Sequence, residues 1–357
     1  MNKSIKIANR VISAETPAFI VAEISGNHNG DYHRAVDIIH AAKEAGVDAV
    51  KLQTYTADTI TLDCDNEHFK LNHGTIWDGT TLHNLYREAY TPWEWQPKLK
   101  EEAEKCGLIC FSSPFDFTAV DFLTELDMPA YKIASFEIND IPLIRKAART
   151  MKPIILATGI ASPEDLSLAL KACYDEGNKD VVILKCVSAY PASFEDIHLR
   201  TIPTLATDYD CLIGLSDHSP GATVAVGAIC FGAVMIEKHL ILSRADGGPD
   251  SAFSMEPNEF ASMVRQIRDL EKALGRSDYA LTTKQIQERE SSKYLSRSLF
   301  AVCDIKAGET FTPANIRSIR PGIGLAPRYY EEVLGKNATC DIKRGTPLNL
   351  DMIGAMP

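Results

Sequence analysis

The sequence predicts an α/β fold, a TIM (β/α)8 barrel followed by a small C-terminal β domain. Three observations carry that expectation. Eight short apolar runs alternate with helix-compatible segments as far as residue 275. The runs are continuously apolar rather than alternating, as strands buried on both faces must be. After residue 295 the rhythm breaks into short extended pieces punctuated by Pro and Gly. A doubly wound sheet would carry a G-x-G-x-x-G turn after its first strand. Here Gly26 and Gly30 bracket Asn27-His28-Asn29, which does not match.

Residues 19–24 read as the first strand. Residues 32–45 form an amphipathic helix with Ala35, Ile38, Ile39 and Ala42 on one face, stopped by Gly46. The second strand spans 49–55, and a longer excursion separates it from a helix over 93–106. The third strand (108–115) is followed by a helix over 117–126, and the fourth (130–135) by a helix over 141–150. The fifth strand is 153–159, after which Ser162 caps a helix beginning Pro163-Glu164. Strands six and seven are 181–190 and 211–218, the latter leading into a Gly- and Ala-rich helix over 221–231. Strand eight is 235–240, and a last helix runs from 256 to 274 and ends at Gly275.

The expected domains are the barrel (1–281), a polar linker (282–295) and the β domain (296–357), with extended pieces at 299–302, 310–311 and 347–349. The net charge of −11 argues against nucleic acid or an anionic membrane held by bulk charge, and leaves room for a small anion gripped by local cations. Residues 1–10 do not read as a signal peptide, so none is expected, and no apolar run approaches the roughly 20 residues that span a bilayer. Nine scattered cysteines read as free thiols in a reducing compartment, so a cytoplasmic protein is expected.

A TIM barrel builds its site at the C-terminal ends of its strands. Those ends carry, in order, Glu23; Lys51, Gln53 and Tyr55; Ser112 and Ser113; Lys132, Ser135 and Glu137; Thr158; Lys185, Ser188 and Tyr190; Ser216, Asp217 and His218; and Glu237 and His239. A single lysine in a strand is ordinarily a structural ion pair. Lys51, Lys132 and Lys185 together, among serine and threonine hydroxyls, suit a small anion bearing phosphate and carboxylate. His218 and His239 fall at matching depths on neighbouring strands, within reach of one cation. Mn²⁺ suits such mixed nitrogen and oxygen ligands, with Mg²⁺ and Co²⁺ as alternatives.

The motifs Ala22-Glu23-Ile24-Ser25-Gly26-Asn27-His28-Asn29-Gly30, Val50-Lys51-Leu52-Gln53, Ser112-Ser113-Pro114-Phe115, Tyr131-Lys132-Ile133-Ala134-Ser135, Gly214-Leu215-Ser216-Asp217-His218 and Ile236-Glu237-Lys238-His239 resemble the sialic acid synthase family. Gly248-Pro249-Asp250 and Ser254-Met255-Glu256-Pro257 extend the match across the barrel. Ser296-Arg297-Ser298-Leu299, Asp304-Ile305-Lys306-Ala307-Gly308-Glu309 and Ile319-Arg320-Pro321-Gly322 resemble the family's antifreeze-like (SAF) domain. Within the family, residues 245–254 look most like its pseudaminic acid branch. Two motifs depart from the family pattern: Ser113 replaces a threonine, and no Asn precedes Tyr190-Pro191.

The resemblance implies a synthase joining phosphoenolpyruvate to the aldehyde of an acetamido-sugar, 2,4-diacetamido-2,4,6-trideoxy-L-altrose for that branch. It implies phosphoenolpyruvate contacts from Lys51, Lys132, Ser135, Thr158 and Ser216, and a metal on His218 and His239. Glu23 or Glu137 would stabilise charge or activate water, and Gln53, Tyr190 and Asp250 would orient the sugar. It also implies a homodimer with swapped C-terminal domains, Arg320 reaching the sugar site of the partner subunit. Alternatives are a neuraminate or legionaminate synthase, a metal-dependent barrel aldolase or related phosphoenolpyruvate–aldose synthase, and a non-enzymatic carbohydrate- or ice-binding protein.

Overall fold

The computed structural model describes residues 3–72, 74, 76–275, 278 and 280–354. An antiparallel hairpin, β1 (Ser4–Ile7) and β2 (Arg10–Ser13), precedes eight parallel strands. These are β3 (Phe19–Glu23), β4 (Ala49–Thr54), β5 (Ile109–Pro114), β6 (Tyr131–Ile133), β7 (Ile154–Ala157), β8 (Val181–Cys186), β9 (Leu212–Asp217) and β10 (Met235–His239). They close in chain order, β10 pairing with β3, as the TIM barrel expectation requires.

Side chains alternate between two apolar layers, as the period of two demands. Phe19, Val21, Ala49, Phe111, Ile155, Val182, Leu184 and Met235 fill the barrel, and Ile5, Ile7 and Ile12 of the hairpin join them at its N-terminal end. Ile20, Val50, Leu52, Ile133, Ile183, Ile213 and Ile236 face outward against the helices. The apolar filling occupies the lower barrel, so charge can enter only near the strand C-termini.

Local signals act as read. Asp31 caps the helix Tyr32–Ala45, and Gly46 ends it at φ 83°, a left-handed conformation that a β-carbon would strain. Ser162 and Asp165 form a reciprocal capping box on the helix Pro163–Asp175. Several strands are shorter than predicted. β6 stops at Ile133 because Ser135–Glu137 turns into a 3-10 helix, and β8 stops at Cys186, ahead of the Tyr190-Pro191 turn. The long excursion after β4 holds two helices, Ala57–Ile60 and Leu82–Ala89, that the sequence reading left unassigned. The helix Thr201–Tyr209 before β9 was also not anticipated.

Contacts divide the chain into two units, Met1–Gly275 and Arg276–Pro357. In the second, β11 (Ser298–Ala301) pairs antiparallel with β12 (Ile316–Ile319) over a core of Leu299, Phe311, Ile316, Val333, Ile342 and Leu348. The extended pieces expected near 310 and 347 are single bridges, Thr310 to Asn337 and Phe300 to Pro347. The expected linker contains the helix Thr283–Ser291. Among the described residues, no helix is long and apolar enough to cross a membrane.

Candidate active site

The inward register of β3, β4, β6 and β10 stacks four charged side chains above the apolar filling. Lys132 Nζ donates to Glu237 Oε1 at 2.8 Å, and Lys51 Nζ lies 3.7 Å from the same oxygen while pairing with Glu23. Ser113 Oγ accepts from Lys51 at 3.2 Å, and Ser216 Oγ donates to Glu237 at 3.0 Å. None of Glu23, Lys51, Ser113, Lys132, Ser216 and Glu237 is more than 5% exposed. Removing any one would leave a buried charge or hydroxyl uncompensated.

The two carboxyls are driven apart. Burial raises Glu23 above the ordinary range, and Lys51 only partly opposes it. Burial also acts on Glu237, but Lys132 and Lys51 overcome it and hold that carboxyl well below the usual range. Lys132, despite burial, is raised by Glu237. Two cations thus face one firmly ionised carboxylate and a second carboxyl that readily takes a proton. That balance welcomes an anion.

Above this floor opens a cavity of about 370 Å³, lined by Ser25, Gln53, Ser135, Glu137, Tyr190, His218, His239 and Asp250 with Lys51, Lys132 and Glu237 beneath. Gln53 Nε2 donates to Ser25 Oγ at 2.9 Å, and Ser25 in turn bonds Asp250. Burial raises the Asp250 carboxyl and lifts that of Glu137 to about 7. Ser135 Oγ lies 3.4 Å from Cys186 Sγ. A β-carbon at Gly159 would strike the Ser135 and Ser188 hydroxyls, so this glycine lets the two approach.

His218 and His239 stand with ring centroids 5.4 Å apart. His218 Nδ1 is 3.1 Å from the Val187 carbonyl oxygen, which can only accept, so in the neutral ring Nε2 keeps the lone pair. His239 Nδ1 has no hydrogen-bond partner and lies 3.9 Å from Asp250 Oδ2. Burial, together with His218, holds His239 well below the usual imidazole range, so it is neutral. Cys186 and the Val187 carbonyl raise His218 despite its burial, so the neutral His239 ring beside the Asp250 carboxyl is the readier donor to a divalent cation, which His218 joins on losing its proton. Buried polar atoms here with no hydrogen-bond partner among the described residues include Glu137 Oε2, Glu237 Oε2 and His239 Nδ1. Buried polar atoms are otherwise almost always bonded, so their convergence marks a ligand site.

Two expected contributors face the wrong way. Ser112 lies on the outward face of β5, where its hydroxyl pairs with Thr54 Oγ1 at 2.6 Å and Thr54 donates to Gln96 at 2.8 Å. Lys185 lies on the outward face of β8, between inward Leu184 and Cys186, and its Nζ donates to the Cys186 carbonyl at 3.1 Å. Their neighbours Ser113 and Cys186 point inward, Ser113 accepting from Lys51 and Cys186 accepting from Ser135. Thr158 is half-buried outside the cavity lining, its Oγ1 accepting from the Cys186 amide at 3.1 Å. Arg320 is exposed and belongs to the second unit.

Glu237 and Tyr55 were read at the strand ends but given no role; Glu237 joins both lysines, and Tyr55 lines the cavity. Ser25 and Cys186 were given no role either: Ser25 lines the cavity, and Cys186 Sγ accepts from Ser135. Burial raises the Cys186 thiol, but His218 outweighs it and brings the thiol down to about 7.

The NeuB family description matches residues 38–279, most of the barrel just described. The chain belongs to the NeuB family. In this NeuB-family chain the SAF domain description matches residues 296–354, which bears out the resemblance read from the motifs. The chain is 46% identical over 337 residues to the pseudaminic acid synthase of Helicobacter pylori, covering 94% of this chain and 98% of the relative. It is 44% identical over 336 residues to the pseudaminic acid synthase of Campylobacter jejuni, covering 94% and 96%. Its fold is similar to a crystal structure of the N-acetylneuraminic acid synthetase of Leptospira borgpetersenii with citrate. That match has a TM-score of 0.71 at 32% identity and covers 83% of this chain and 98% of the other.

Proposed function

We propose that this NeuB-family synthase condenses phosphoenolpyruvate with 2,4-diacetamido-2,4,6-trideoxy-L-altrose and water, giving pseudaminic acid and phosphate. The observation that carries the reading is the buried Lys51–Glu237–Lys132 floor directly beneath the His218/His239 pair, in one cavity. The likeness to two pseudaminic acid synthases over nearly the whole chain favours that acceptor over those of neuraminate or legionaminate synthases.

The phosphate and carboxylate of phosphoenolpyruvate rest on Lys51 and Lys132, with Ser113, Ser135, Ser188 and Ser216 around them. Gln53, Tyr190 and Asp250 orient the sugar so that its aldehyde carbon meets C3 of phosphoenolpyruvate. Holding both reactants in line supplies roughly 7–11 kcal/mol of the barrier reduction. His218 and His239 would hold a divalent cation, Mn²⁺ by preference, which would supply Lewis-acid polarisation of the aldehyde. As C3 bonds to the aldehyde carbon, positive charge develops at C2, and Glu23 or Glu237 lies beneath to stabilise it. Glu137, the half-buried carboxyl at the cavity edge, takes a proton from the water that adds to C2. Phosphate then leaves with its bridging oxygen as the new C2 hydroxyl releases its proton and becomes the ketone, and the alkoxide on the former aldehyde carbon takes up a proton.

The reading extends to a cytoplasmic homodimer. Residues 1–281 form the catalytic barrel, 282–295 connect, and the SAF domain at 296–357 brings Arg320 of the partner subunit to the sugar. Phosphate release, measured with phosphoenolpyruvate, Mn²⁺ and a sugar panel, tests it. Fastest release with the trideoxy altrose is expected, and fastest release with N-acetylmannosamine would overturn the acceptor assignment.

A further inference from the structure

The cavity has two unlike halves. Its charged floor comes from strand ends. Much of its other wall comes from the excursion after β4: Ile60, Leu71, Leu82, Leu85, Tyr86 and Ala89. The last four are spaced i, i+3, i+4 and i+7 along the helix Leu82–Ala89, one continuous apolar stripe. Such a stripe normally packs into a core. Here it lines the cavity and joins neither hydrophobic layer of the barrel.

The wall is a built surface. Thr81 caps the helix through the Asn84 amide at 3.3 Å. Leu71 is bracketed by two backbone bonds, its amide to Thr80 O at 2.9 Å and its carbonyl to the Gly79 amide at 3.0 Å. His83 Nε2 lies 3.0 Å from Asp58 Oδ1, tying this helix to Ala57–Ile60. Trp77 Nε1 donates to Pro249 O at 2.9 Å, joining the excursion to the loop that carries Asp250.

Resting on the synthase reading above, we infer that this wall is the specificity device for the acceptor. It takes the deoxygenated carbon and N-acyl methyl groups of an acetamido-deoxy sugar, and it rejects a sugar hydroxylated at the same carbon. The physical reason is desolvation. A hydroxyl pressed against Leu71, Leu82 and Leu85 gives up its water for side chains that carry no donor or acceptor, whereas a methyl there gains apolar burial. Discrimination of this kind amounts to about 10–100-fold in kcat/KM.

The test compares the 2,4-diacetamido-2,4,6-trideoxy acceptor with its 6-hydroxy counterpart, using purified full-length protein, phosphoenolpyruvate and Mn²⁺. Wild type is expected to favour the trideoxy sugar. Leu85→Gln, which keeps a good helix former and adds a polar end, should shrink the kcat/KM ratio about 10-fold while the KM for phosphoenolpyruvate stays put. Leu85→Met should retain the wild-type ratio. Active wild type with a ratio that Leu85→Gln leaves unchanged would overturn the wall inference alone. A change in oligomeric state with no change in ratio would overturn it too, assigning the stripe to a subunit contact. No phosphate release with either sugar from the wild type would sink the synthase reading, and the wall's role with it.

Discussion

The floor and the wall of one cavity are made in opposite ways. The floor side chains sit on strands, where the period of two and the closed register leave each residue a single direction. The wall sits on a helix in a loop excursion, held by one cap, a short bracket and a few side-chain bonds. Catalytic groups need the first kind of support, because a carboxylate displaced beside a buried lysine loses both its charge partner and its geometry. Selectivity tolerates the second, since an apolar surface discriminates by what it fails to hydrogen-bond.

The sharpest way to break this comparison is to damage the floor. Glu237→Ala leaves Lys51 and Lys132 buried without their shared carboxylate, so urea unfolding should show a loss of about 3–5 kcal/mol, together with loss of turnover. A fully stable variant would mean that water reaches the floor and screens it. His239→Ala comes next. It removes a neutral ring whose Nδ1 has no hydrogen-bond partner among the described residues but which packs edge-on against Phe253, so thermal unfolding should fall less than for Glu237→Ala, while turnover and its response to added Mn²⁺ vanish. Turnover that persists in metal-free buffer would remove the metal from the site.

Paired substitutions on one strand sharpen the contrast between faces. Ser113→Ala should raise the KM for phosphoenolpyruvate several-fold. Ser112→Ala should leave that KM alone and cost about 1 kcal/mol of stability through its bond to Thr54. Lys185→Met, on the outward face of β8, should likewise spare the KM. Equal effects at 112 and 113 would mean that the register of β5 is misread.

The smallest effect is a pH dependence. The Glu137 carboxyl, raised to about 7 by burial, keeps its proton in the folded protein at pH values where the unfolded chain has released it. Its contribution to stability therefore falls as pH rises from the ordinary carboxylate range to about 7. Glu137→Gln should remove that part of the slope in urea unfolding. The rising limb of the rate profile toward pH 7, set by Glu137 as the base, should be absent from whatever turnover the variant keeps.

How much of this was legible follows the same division. The barrel, its strand order and most of the floor could be read from apolar runs and from what stood at their ends. The errors at Ser112 and Lys185 came from counting every polar residue near a strand end without applying the alternation. Ser112 neighbours Ser113, and Lys185 neighbours Cys186, so one step along the chain reverses the face. The wall escaped notice because an apolar stripe at helical spacing reads as core wherever it occurs.

By itself the sequence determined the parallel strands, the caps that start and stop their helices, and the motifs that place the chain among the NeuB family, because each depends on residues close together in the chain. Only the tertiary structure decided that Glu237 bridges two lysines from other strands, that Glu23 and Glu237 titrate in opposite directions, and that the stripe Leu82, Leu85, Tyr86 and Ala89 turns toward the site. Burial and charge proximity are properties of the closed barrel, and they set pKa values and exposed faces across distances that local spacing does not encode.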